Sequence, residues 1–117
     1  MKFFTLIIAL ISINFSQKTE KLNGRYNYLI EDENQYILKD KITFKDSVFA
    51  FDNKFLPKGK VSYGNAILLD NFINIDLVIT IPKDQIQKDT IEFFMHDRND
   101  ANYLNIVTGK GKLIRIK

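Results

Sequence analysis

Between residues 72 and 81 apolar and polar side chains alternate with a period of two. Ile73, Ile75, Leu77, Ile79 and Ile81 fall on one face, with Asn74, Asp76 and Thr80 on the other. Only an extended chain sends successive side chains to opposite faces. The run therefore predicts a half-buried β-strand over Phe72 to Ile81, stopped by Pro82, which has no N–H to give a ladder. Composition agrees. After residue 16 the chain holds 13 Ile, 4 Val, 5 Thr, 7 Phe and 5 Tyr against 3 Ala, so side chains that suit a pleated surface dominate and the best helix former is scarce.

Shorter runs repeat the pattern between polar turns. Arg25 to Ile30 sets Tyr26, Tyr28 and Ile30 on one face and is followed by a Glu31–Asn34 turn. Gln35 to Lys39 returns, Lys41 to Lys45 points Ile42 and Phe44 inward, and Asp46-Ser47 turns the chain into Val48 to Phe51. Residues 52–59 read as a loop, Lys60 to Tyr63 and Ala66 to Leu69 as strands about a turn or bulge at Gly64-Asn65, and Asp70-Asn71 as a turn. Thr90 to His96 shows Ile91, Phe93 and Met95 on one face. Tyr103 to Val107 reads as a further strand, Gly109-Lys110-Gly111 as a turn, and Lys112 to Lys117 as the last strand, with Ile114 and Ile116 inward. Short strands with turns about every 8–12 residues indicate an all-β fold. The expected architecture is a single antiparallel meander closing into a barrel of about eight strands, with a β-sandwich as the alternative.

The chain opens differently. Lys2 precedes an apolar run from Phe3 to Ile13, followed by a polar exit at Asn14 to Lys18. A positive start, a short apolar stretch and a small-residue exit are the parts of a secretory signal peptide. Eleven residues make only about 16 Å of helix, short of a membrane core of roughly 30 Å. Residues 1–16 are read as the signal peptide, 17–23 as a leader and 24–117 as one barrel domain. The expected location is the periplasm or the medium, without stable membrane insertion after cleavage. No cysteine follows the apolar run to carry a lipid anchor.

The balance of 17 Lys+Arg against 14 Asp+Glu falls to +2 once residues 1–16 are removed, too little to predict a nucleic-acid partner. With no Cys and one His, disulfide scaffolds, thiolate metal sites and two-imidazole sites are excluded. His96 ends a strand and reads as a surface or turn histidine, since Asp97 points to the other face and Glu92 is about 13 Å along the strand. The acidic turn at Glu31 to Glu33 and the loop from Asp97 to Asn102 offer oxygen ligands but lack the glycine and late glutamate of a calcium loop. Gly109-Lys110-Gly111-Lys112 lacks the spacing and following helix of a phosphate loop. No catalytic set, cofactor or metal is expected.

At Asn23-Gly24-Arg25-Tyr26 and Leu113-Ile114-Arg115-Ile116 the chain resembles lipocalin-like (calycin) barrels. These open their first strand with glycine, any residue and a large aromatic, and pack an arginine of the last strand over that aromatic. The resemblance implies a closed-end set of Gly24, Tyr26 and Arg115, and binding rather than catalysis. Tyr26 stands where tryptophan is usual, and 101 residues are few for a roomy cavity. Phe49, Phe51, Phe55, Leu56 and Phe94 lie in doubly apolar runs or a loop and form a candidate partner surface. The functional expectation is an exported, non-catalytic binding or accessory protein that takes a small apolar or amphipathic ligand in the lipocalin-like barrel. The alternative is a module that binds another exported protein, such as an inhibitor, an immunity protein or an envelope-assembly subunit.

Overall fold

A computed structural model describes residues 20–99, 101 and 105–117. The strands are β1 (Asn23–Asp32), β2 (Gln35–Lys45), β3 (Val48–Phe51), β4 (Gly59–Tyr63), β5 (Ala66–Asp70), β6 (Leu77–Pro82), β7 (Thr90–Asp97) and β8 (Gly109–Arg115), with one 3-10 turn at Lys83–Gln85. Each strand pairs antiparallel with the next, and β8 returns to β1, giving a closed eight-stranded meander. The all-β barrel expected from the alternation is the fold. Residues 1–16, assigned above to a signal peptide, and Gln17 to Thr19 of the leader lie outside the described residues.

The inward set follows the alternation. Tyr26 and Tyr28 of β1, Ile42 and Phe44 of β2, Phe49 and Phe51 of β3, Ile79 and Ile81 of β6, Ile91 and Phe93 of β7 and Leu113 of β8 are all buried. Between Tyr28 and Leu29 the β1–β2 register slips by one: Tyr28 faces Asp40, but Leu29 faces Leu38. Lys39 is the extra residue, so the two runs read separately in the sequence are one bulged strand. A bulge reverses which face each following residue meets.

Three local expectations are corrected. Phe72 to Asp76 is a loop, and β6 begins at Leu77. Asn71 and Ile73 adopt φ of 60° and 70°, a left-handed geometry that no strand contains. Asn74 then closes a turn, its carbonyl accepting from Leu77 N–H at 3.3 Å and its side chain from Asp76 N–H at 2.9 Å. Secondly, β8 starts at Gly109 and its inward residues are Gly111 and Leu113, while Ile114 is exposed. Pairing of Tyr28 with Leu113 fixes that phase. Thirdly, of the strand expected over Tyr103 to Val107, Asn105 to Val107 are not extended in any ladder, and Tyr103 and Leu104 lie outside the described residues.

Both rims are stoppered. At the rim where β1 begins and β8 ends, Leu22 is buried, and its N–H donates to the Tyr63 hydroxyl at 2.8 Å. At the other rim, Phe72 drops from the β5–β6 loop into the lumen. Its ring lies 5.2 Å from Tyr28, 5.8 Å from Phe49, 5.1 Å from Phe51 and 5.7 Å from Phe93. Each such aromatic pair adds about 0.5–1.5 kcal/mol beyond the burial of its area. An eight-stranded barrel is just wide enough for side chains to fill, and here aromatic rings occupy its axis.

Candidate functional site

The three residues of the closed-end set meet at the first rim. Tyr26 and Arg115 are register partners, and the Arg115 guanidinium carbon lies 4.8 Å from the centre of the Tyr26 ring. Arg115 Nη1 donates to the Asn23 carbonyl at 3.2 Å, and its Nε approaches Asp89 at 3.6 Å. Gly24 has φ of 113°, a conformation that L side chains rarely adopt, and a Cβ there would stand 3.1 Å from Arg115 Nη1. Burial raises the Tyr26 hydroxyl pKa, against the pull of Arg115. Burial, with the Asp40 carboxylate adding to it, pushes the Tyr28 hydroxyl up to about 12. Both rings are therefore neutral core members.

The five aromatic and aliphatic residues grouped as a candidate partner surface do not form one. Phe49 and Phe51 are core residues, because the inward phase of β3 takes them and leaves Val48 half exposed outside. Leu56 is partly buried against the core, and Phe94 lies on the outer face of β7, beside a separate hollow that Tyr36 and Lys110 also line. Phe55 alone stands out, 97% exposed on the β3–β4 loop, where Asn53 holds its N–H at 3.0 Å.

His96 is buried, not at the surface as expected from its place at a strand end. It points to the outside of the barrel, but the chain following β7 folds back over it. Its two ring nitrogens are 2.9 Å from Thr80 Oγ1 and 2.8 Å from the Ile106 carbonyl oxygen. Satisfied on both sides, the imidazole fastens a loop to the barrel wall and holds no carboxylate partner among the described residues.

An apolar concavity lies on the outer wall at the β3–β4 seam. That seam is short: the ladder consists of Val48 opposite Lys60 and Phe49 opposite Gly59. A groove of about 410 Å³ lies there, lined by Thr43, Val48 and Ala50, by the edge of Phe49 beside Gly59, and by Lys45, Lys58 and Lys60. Across the strands Lys45 faces Val48 and Val48 faces Lys60, so two ammonium groups flank one isopropyl group. Asp70, the register neighbour of Lys60, is ion-paired with Arg98. The three lysines have no ion-pair partner among the described residues. Sequence reading missed this groove because its lining comes from two strands and a loop, and the lysines look like ordinary outward positions.

In class, the molecule is a small closed eight-stranded up-and-down β-barrel, lipocalin-like at the coarse level of strand number and connection. Compared with known proteins, the chain matches no family model, no curated protein and no solved structure.

Proposed function

We propose that the chain is an exported, non-catalytic binding protein that takes a small amphipathic anion in the groove on the outside of the β3–β4 seam. The observation that carries this reading is the pairing of an apolar floor with three lysines in a barrel whose lumen is already occupied by rings. A short acyl chain would cover Val48 and Ala50, and its carboxylate or phosphate head would meet the ammonium groups. The volume lies within the usual range of small-molecule sites, about 300–1,000 Å³.

Amide NMR shifts of the protein titrated with dodecanoate test it. Saturable shifts centred on Val48, Ala50 and Lys60 are expected, with affinity falling about tenfold or more in a Lys45→Glu, Lys60→Glu double variant. Shifts spread evenly over the surface, or none, would reject the site. Export is read separately. A chain purified from its host that begins at Gln17 supports it, and an intact Met1 form in the cytosol rejects it.

Phe55 favours a second reading, in which a protein partner receives that ring. A photo-crosslinker placed at residue 55 should then give one discrete adduct in host cells. The absence of any adduct removes this reading.

A further inference from the structure

β2 is longer than the strand beside it. β3 covers only Ile42 to Lys45. Just beyond, the Lys41 carbonyl accepts from Asp52 N–H at 3.0 Å and the Asp40 carboxylate from Asn53 N–H at 3.0 Å. Over Gln35 to Lys39, β2 has β1 on one side and no strand on the other among the described residues. In an antiparallel ladder alternate residues direct N–H and C=O away from their partner, so this stretch presents unpaired backbone donors and acceptors. Its side chains are apolar and accessible: Ile37 is 39% and Leu38 57% exposed. Past the bulge, Leu38 and Tyr36 face outside, while Ile37, opposite Ile30, continues the inner face beyond the rim.

We propose that this edge pairs with the same edge of a second copy, antiparallel, about a two-fold axis through Ile37. A two-fold contact must be complementary to itself, and this register is. Ile37 faces Ile37, Tyr36 faces Leu38 twice and Gln35 faces Lys39 twice. Beyond these five residues the free edge ends, because Glu33 and Asn34 turn away with φ of 50° and 67° and Asn53 and Asp52 occupy Asp40 and Lys41, so the ladder is confined to residues 35–39 and sets no like charges face to face. Centring on Tyr36 would set Gln35 against Ile37 and Asn34 against Leu38. Centring on Leu38 would set Lys39 against Ile37. Only the Ile37 axis matches apolar with apolar, and aromatic–aliphatic cross-strand pairs are stabilising. The contact spans five residues a side, so the dimer belongs to the weak, concentration-dependent class.

Sedimentation velocity from about 10 µM to about 1 mM should show the sedimentation coefficient rising toward that of a dimer, as in other small-interface complexes. Ile37→Lys and Ile37→Asp should each stay monomeric. An equimolar mixture of the two should dimerise again, because the introduced ammonium then faces the introduced carboxylate. The chain has no cysteine, so Ile37→Cys should form a disulfide-linked dimer on mild oxidation much faster than Gln35→Cys. A monomer at every concentration overturns the proposal, whether or not an extended peptide is found to bind. So does a dimer that survives Ile37→Lys, or equal linking by the two thiols.

Discussion

Two glycines face the barrel interior, each directly across from a phenylalanine: Gly59 opposite Phe49 and Gly111 opposite Phe93. The ring of each phenylalanine lies over its glycine. A Cβ on Gly59 would stand 2.1 Å from Phe49 Cζ and 2.4 Å from the Asp70 carbonyl oxygen. On Gly111 it would meet Phe93 Cζ at 2.2 Å and the Leu29 carbonyl oxygen at 2.3 Å. The backbone oxygens cannot swing aside, so Gly59→Ala and Gly111→Ala are each expected to cost about 1–3 kcal/mol in urea unfolding, the usual range for overpacking. Gly64→Ala, where the new Cβ would come no closer than 3.9 Å to the Ala66 carbonyl oxygen, is expected to change stability by less than about 0.5 kcal/mol. In the sequence Gly59 and Gly111 read as turn residues. A glycine that ends a strand and one that makes room for a ring look the same until the facing residue is known. The burial of His96 was hidden for the same kind of reason: what covers it is the segment just after β7, and only the fold shows that this segment turns back onto the wall.

Among the elements, the alternation from 72 to 81 was legible as strand only in its second half. Ile73 and Ile75 keep the period but not the conformation, since the left-handed Asn71 and Ile73 turn the chain away from the wall. Phe72 is thereby freed to enter the lumen, where it is fully buried. Phe72→Ala removes the ring that four others pack on, and should cost about 3–5 kcal/mol by chemical denaturation. Ile75→Ala, at a position 69% exposed, should be nearly silent. A period-two pattern records which side chains are apolar. It cannot record that one of them is used as a stopper. The bulge at Lys39 was hidden in the same way, because a one-residue slip appears in one sequence only as a break in alternation.

At the level of the whole molecule, strand order and closure were legible, because most inward phases were set by their own run of apolar residues; that of β8 was not, since Gly111 and Leu113 face inward where Ile114 and Ile116 were expected. The state of the lumen was not, since the residues that seal it, Leu22 and Phe72, come from outside the regular strands. The wall is uneven. β1 and β2 share ten register pairs, whereas β3 and β4 share two. Amide hydrogens at Phe49, Phe51 and Gly59, which face that seam, should therefore exchange before those of Tyr26 to Ile30, as expected where few backbone pairs hold a segment. Hydrogen exchange followed by NMR reads this directly, and uniform protection around the wall would contradict it.

Pairing of β1 with β8 joins Tyr26 to Arg115, near opposite ends of the polypeptide. Translation delivers Tyr26 well before Arg115. Until β8 emerges, the nascent sheet keeps two raw margins, and the stacked rings have no complete wall to lean on. The ring is closed by β8, so assembly must wait until that strand has been made. Any machinery that handles the chain beforehand meets a thread rather than a cylinder.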